Sequence, residues 1–368
     1  MDFNFLMPVK VISGEGCVLK SAKLLRSLGR RCLIMTSRSA AKTSGALDDL
    51  ISTLEEAKIN YTIFSEISPN PLLSQCQAAA YAAQLCRSQF IIGVGGGSVM
   101  DAAKAAAWLA NNNCSAGEKL MKGELRHGPL PLVLIGTTAG TGSEVTPAAV
   151  LTMDKTGQKR SITHHNCFAD IAFADPRYTY TVNRDHTVSA ALDAFSHAVE
   201  GWFAPACGDL PTAFGEKALP LILEGLEWMS ENDGLPEKEM RDKLYYGSLW
   251  AGMVLNATGT AFPHPLGYIL TEEYSVPHGM ACAVFLPALL ERAEKYCKDR
   301  AERLYSLCGG RDRVFAILGR LVSHNVRMGS EQIESYKPRW EGVKNFERTP
   351  GGFTAEDAAG VFRSLFLD

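Results

Sequence analysis

The chain has 368 residues, enough for two domains with their own cores, and its 37 Lys+Arg against 40 Asp+Glu leave a formal net charge of −3. That balance makes no electrostatic case for a nucleic-acid or anionic-membrane partner. The start, Met1-Asp2-Phe3-Asn4-Phe5, lacks the basic and apolar regions of a signal peptide, no run approaches the roughly 20 apolar residues of a membrane span, and the cysteines are scattered without a Cys-x-x-Cys pair, so reduced thiols and a cytoplasmic location are expected.

In chain order, residues 21–28, 46–57, 74–86 and 99–110 read as helices, and 32–36, 61–64, 90–94, 132–135 and 171–174 as strands. Strands alternating with crossover helices predict a parallel sheet, hence an α/β domain over 1–180. Beyond about Thr187 the strand signal fades into long amphipathic patterns, as at 211–230 and 238–257, which predict an all-α domain over 181–368. The turn-rich stretch with Pro176 and Asn183-Arg184-Asp185 marks the boundary. The tail at 328–348 is polar and aperiodic, and Thr354 is placed to cap a last helix running to Phe366.

Two loops of the first domain follow buried strands. Phe90-Ile91-Ile92-Gly93-Val94 leads into Gly95-Gly96-Gly97-Ser98, with Ser98 expected as the N-cap of the next helix. Strand, glycine turn and helix N-terminus together make an anion site, because free amides and the helix dipole face a phosphate. The plainer alternative is a tight turn. Pro131-Leu132-Val133-Leu134-Ile135-Gly136 leads into Thr137-Thr138-Ala139-Gly140-Thr141-Gly142-Ser143, whose small hydroxyl residues suit a polar ligand lying against the backbone.

The second domain supplies metal-ligating chemistry. Asp193 and His197 lie four apart in a breaker-free helical run, which puts them on one face, one turn apart. His264 and His278 stand in Pro263-His264-Pro265 and Pro277-His278-Gly279. One carboxylate and three imidazoles suit Fe²⁺, Zn²⁺ or Mn²⁺. Cys282, close to His278, reads as a buried small hydrophobe, with a neighbour of the metal site as the alternative.

In this order, Gly95-Gly96-Gly97-Ser98-x-x-Asp101-x-x-Lys104, Thr137 to Thr146, Asp193-x-x-x-His197, His264 and His278 resemble the iron-containing (group III) metal-dependent alcohol dehydrogenases. The likeness runs from about residue 5 to residue 290, and Pro69-Asn70-Pro71 and Asp175-Pro176 stand where the family carries them. It implies a Rossmann-like NAD(P)-binding domain followed by a helical metal- and substrate-binding domain. Gly95, Gly96, Gly97 and Ser98 would bind the pyrophosphate, with Asn70 part of the cofactor set. Asp101 and Lys159 would lie near the nicotinamide ribose, and Thr137, Thr138 and Thr141 would line the nicotinamide side. Asp193, His197, His264 and His278 would hold Fe²⁺ foremost, with Zn²⁺ or Mn²⁺ as alternatives. The implied partner is a small alcohol or aldehyde, and the implied assembly a homodimer or larger homo-oligomer.

Two positions depart from the family pattern. Tyr268 stands where many members carry a histidine near the nicotinamide; Tyr268 and Asp101 are the candidates for a catalytic proton relay. Ser37 stands where many NAD-using members place an aspartate, which removes the repulsion of a 2′-phosphate, and Arg38 follows it as a possible phosphate partner. NADP therefore joins NAD as an expected cofactor. Two related readings compete: a glycerol-type polyol dehydrogenase, which uses fewer metal ligands, and a dehydroquinate-synthase-like lyase. The lyase needs several basic residues for its anionic substrate, yet 190–202 and 257–283 contain no Lys or Arg.

Overall fold

The computed structural model describes residues 5–367. One compact unit covers Leu6–Val182 and a second begins at Asn183.

The first unit is built on six parallel strands: β1 (Lys10–Ser13), β2 (Arg31–Thr36), β3 (Asn60–Phe64), β4 (Phe90–Gly95), β5 (Leu132–Gly136) and, after a hairpin, β8 (Ile171–Ala174). The spatial order is β1-β8-β5-β4-β2-β3, with every pairing parallel. The hairpin strands β6 (Ala148–Thr152) and β7 (Lys159–Thr163) pair antiparallel. Leu33, Met35 and Ile91 enter one core, and Cys32, Ile34, Phe90 and Ile92 enter the other. That period-2 split, with both faces buried, explains why the strands read as near-continuous apolar runs. The strand order reverses between β2 and β4, and in such sheets ligands bind beyond the carboxyl ends of the strands at that switch. Gly95 ends β4 and Thr36 ends β2, so the glycine turn and Ser37 both stand there.

The expected strands and helices of this unit all form, with ends displaced by one or two residues. The sequence reading did not include β1 or the β6–β7 hairpin. The helix after β4 spans Gly97–Ala110 and is flanked by Gly96 with no side-chain cap, so Ser98 is not its N-cap. Ser98 Oγ instead accepts the Asn70 amide at 3.2 Å.

Among the described residues the second unit is helical throughout, apart from one bridge between Met328 and Leu367. Its long helices are Arg184–Phe203, Asp209–Glu231 and Lys238–Thr258. The first starts on Asn183, whose side chain accepts the His186 amide at 2.9 Å. The short helices Pro263–Tyr274 and His278–Ala283 follow. The tail folds as Ser330–Ser335, Lys337–Trp340 and Lys344–Glu347, helices too short to show a period. Thr354 and Asp357 then form a reciprocal capping box for Ala355–Phe366. No helix among the described residues is long and apolar enough to cross a membrane.

Candidate metal centre and cofactor loop

Helix Arg184–Phe203 is buried along most of its length and places Asp193, His197 and Glu200 at i, i+4 and i+7, on one face. His264 enters from the first turn of Pro263–Tyr274, and His278 begins the next helix. Asp193 Oδ1 lies 3.8 Å from His197 Nε2, 3.7 Å from His264 Nε2 and 3.8 Å from His278 Nε2. The Nε2 atoms of His197 and His264 are 3.0 Å apart. Donors about 2.1 Å from a common ion lie about 3.0 Å apart at right angles and about 3.4 Å apart at the tetrahedral angle; the His197–His264 separation matches that spacing, and the three Asp193 separations are a few tenths of an ångström wider. Asp193 Oδ1 is buried and has no hydrogen bond among the described residues. An orphaned carboxylate oxygen ringed by three imidazole nitrogens is the arrangement a divalent cation satisfies. Burial opposes the Asp193 charge, but His197, His264 and His278 prevail and hold its carboxyl well below the usual range.

Glu200, which the sequence reading passed over, orients this set. Its Oε1 lies 2.6 Å from His264 Nδ1 and its Oε2 accepts the Ala261 amide at 2.7 Å. Glu200 is fully buried. With the proton at Nδ1, the Nε2 lone pair of His264 faces Asp193, the carboxylate–histidine pattern of metal sites. The i+7 spacing from Asp193 was the available signal. The chain geometry is equally exacting at Gly279, where a Cβ would overlap the Ser189 carbonyl oxygen and lie 2.8 Å from the Asp193 amide. Only glycine lets the His278 helix approach the Asp193 helix so closely.

Two neighbours flank His278. The Tyr268 ring stacks on it, centroids 5.7 Å apart and planes 18° apart. Burial, first among the causes, pushes the Tyr268 phenol up to about 12, so it keeps its proton at neutral pH. Cys282 Sγ lies 3.8 Å from Nδ1 and 3.9 Å from Nε2 of His278, nearly equidistant and so in line with neither lone pair. It is fully buried, and Asp193, His264, His278 and Cys282 each present a ligand atom within 4.8 Å of the others.

In the first unit, the Gly95–Ser98 turn packs on the hydroxyl loop. Thr137 N donates to Gly95 O at 3.0 Å, and a Cβ on Gly97 would overlap the Thr141 side chain. The helix Gly97–Ala110 has no side-chain cap; the Val99 and Met100 amides donate to the Gly96 carbonyl at 3.0 and 3.1 Å, and those of Gly97 and Ser98 are the ones placed to meet a ligand. Asn70, at φ 52°, braces the turn through Ser98 and accepts the Thr152 hydroxyl at 3.1 Å. Asp101 is engaged by the protein at both oxygens: Ser143 Oγ donates at 2.7 Å and Val150 N at 2.9 Å. Burial raises the Asp101 carboxyl against the opposing pull of Lys104, and more weakly of Lys159, at the start of β7. Lys104, wholly buried, donates to Ser143 Oγ at 2.7 Å and to the carbonyls of Thr146 and Ala148 at 2.9 and 2.7 Å. Ser37, half-buried, and Arg38, exposed, follow the end of β2.

Comparison with known proteins identifies the family. Residues 8–176 match the model of the iron-containing alcohol dehydrogenases, and 187–328 match the C-terminal model of the same Fe-containing family. Long-chain-alcohol dehydrogenase 1 of Geobacillus thermodenitrificans is 30% identical over 300 residues, 81% of this chain and 75% of that one. 1-Propanol dehydrogenase of Salmonella typhimurium is 30% identical over 312 residues, 83% and 78% of the two chains. An iron-containing alcohol dehydrogenase structure from Thermotoga maritima superposes with a TM-score of 0.91 at 35% identity, covering 99% of each chain. A sulfoacetaldehyde reductase from Bifidobacterium kashiwanohense, solved in complex with NAD+, superposes with a TM-score of 0.89 at 25% identity over 99% of each chain. The chain belongs to the iron-containing alcohol dehydrogenase family. It is a metal-dependent oxidoreductase that interconverts alcohol and aldehyde with a nicotinamide cofactor.

Proposed function

We propose that this enzyme acts on small, uncharged alcohols and aldehydes, with Asp193, His197, His264 and His278 holding Fe²⁺ and Gly95–Ser98 holding the cofactor pyrophosphate. The observation that carries the metal assignment is the orphaned Asp193 Oδ1 encircled by three Nε2 atoms at 3.7 to 3.8 Å. The lack of any Lys or Arg in 190–202 and 257–283 supports an uncharged substrate. When bound, a divalent cation supplies Lewis acidity toward the substrate oxygen, and the nicotinamide supplies or accepts the hydride.

The chain's own residues prepare that chemistry. Glu200 keeps the proton on His264 Nδ1 and so keeps Nε2 available as a donor. Tyr268, stacked on His278 and protonated at neutral pH, holds a proton at Oη that can pass to the product oxygen during aldehyde reduction. Both Asp101 oxygens already accept protein hydrogen bonds, so we assign it the positioning of Ser143 and the hairpin rather than a proton relay. Lys159 lies near the same carboxylate and is assigned to the ribose side of the cofactor.

Ser37 and Arg38 extend the reading to NADPH, since no carboxylate stands there to repel a 2′-phosphate. The test is kcat/KM for NADPH and NADH in the wild type and in Ser37→Asp. The reading expects NADPH turnover in the wild type, and in the variant a roughly tenfold loss with NADPH alone. Equal NADPH efficiency in both proteins would overturn it. A cytoplasmic enzyme that assembles as a homodimer or larger homo-oligomer completes the proposal.

A further inference from the structure

We propose that the carboxy-terminal segment 332–353 is a positioning strap that holds the His264 helix at both ends and thereby sets the metal site. The inference rests on His264 being a metal ligand. The segment lies beyond the residues matched to the family's C-terminal model, which end at 328.

The turn at 259–262 shows what the strap does. It immediately precedes Pro263, and within it the Phe262 carbonyl accepts the Leu266 amide of the following helix at 3.2 Å. Three further backbone groups are met by side chains from elsewhere. The Phe262 amide donates to Thr349 Oγ1 at 3.2 Å, and the Thr260 carbonyl accepts Asn345 Nδ2 at 3.1 Å, with Thr260 Oγ1 accepting it at 2.7 Å. The Ala261 amide goes to Glu200, the same carboxylate that meets His264. Phe262 stacks on Phe353 with centroids 4.2 Å apart and planes 5° apart, and Phe346 packs edge-on against Phe353. Phe262 and Thr349 are buried, so these bonds exclude water.

The far end of the helix is held by the same segment. Gln332 donates to Tyr274 Oη at 2.7 Å, and Tyr336 Oη donates to Glu273 at 2.5 Å. Arg339 reaches Glu273 at 2.9 Å and also pairs with Glu272. A helix of twelve residues, Pro263–Tyr274, is thus fixed at its entry and its exit. Metal ligation tolerates displacements of only a few tenths of an ångström, so release of the entry turn moves Nε2 of His264 out of range.

The test is titration of the full-length protein with Co²⁺, following its visible d–d bands and dissociation constant. Thr349→Val removes the acceptor for the Phe262 amide at nearly constant volume, and Asn345→Ala removes the donor to Thr260 without touching the core. Thr349→Ser restores the hydroxyl. Leu318→Ala opens a cavity in a buried position outside the strap and lowers Tm without touching it. The strap predicts about tenfold weaker Co²⁺ binding and altered bands in Thr349→Val and Asn345→Ala. It predicts recovery in Thr349→Ser and wild-type binding in Leu318→Ala. Wild-type affinity and bands in Asn345→Ala would overturn the strap, as would equal weakening by Leu318→Ala, because stability alone would then set the affinity. Absence of d–d bands in the wild-type titration would overturn the metal reading itself, and with it the strap.

Discussion

The two units build their sites from opposite materials. In the α/β unit the loop proposed for the cofactor is one contiguous strand, turn and helix, Phe90 to Ala110, and the groups it would offer are backbone amides. In the helical unit the donors are side chains from three separated segments, each imidazole needing a partner or a close packing contact to aim it. A backbone site tolerates change in side chains but not an added Cβ. A side-chain site depends on groups far away in sequence, such as Glu200 for His264, and on close helix crossings, such as that of Gly279 against Ser189 and Asp193. The difference teaches where each site is fragile.

The sharpest way to break the comparison is His264→Ala. It should empty the metal site, measured as metal per protein by elemental analysis, and lower aldehyde turnover by about a thousandfold or more. Cofactor binding, followed by nicotinamide fluorescence, should persist; an active, metal-free variant would sink the ligand assignment. Next in size is Gly279→Ala, whose Cβ overlaps the Ser189 carbonyl oxygen. Overpacking against backbone should cost about 3 kcal/mol and loosen the metal, seen as a lower Tm and a reduced metal content. An unchanged Tm would show that the helix crossing has room.

Gly97→Ala probes the other unit. Its Cβ overlaps the Thr141 side chain, so the turn must shift away from the hydroxyl loop. Cofactor affinity should fall about tenfold, a change of roughly 1.4 kcal/mol, with metal content unchanged. Loss of metal instead would contradict the division of labour. The smallest effect belongs to Glu227→Gln, away from both sites. The Arg313 hydrogen bond holds the Glu227 carboxyl below its ordinary value, and the pair is partly exposed. A lowered carboxyl contributes stability above its unfolded pKa and loses it as the pH falls through the folded one. Solvent screening limits the gain to about 0.5 kcal/mol near pH 7. The wild-type advantage in Tm should shrink as the pH falls below the ordinary glutamate range; an advantage that grew toward acid would reverse the sign.

Legibility in the sequence followed the same divide. The strands β2, β4, β5 and β8 were readable because both of their faces are buried and their apolar runs are uninterrupted. The hairpin β6–β7 was not, because its residues alternate between buried and partly exposed, and Lys159–Thr163 is mostly polar. Ser98 misled as a cap: a serine at a helix start accepts whichever amide lies in reach, and here that is Asn70. Asp193 and His197 were readable from one helical turn, whereas Glu200 needed the partner His264, 64 residues away, to gain meaning. Thr349 and Asn345 carried no local signal, since the turn they hold lies 85 or more residues earlier.

The most direct test of the central claim is reduction of a panel of short uncharged aldehydes by Fe²⁺-reconstituted protein, followed through loss of reduced nicotinamide absorbance, with and without a chelator. The account predicts turnover that disappears on chelation, returns when Fe²⁺ is restored, and is absent from His264→Ala under all three conditions. Turnover that survives chelation, with elemental analysis showing no metal, would contradict it.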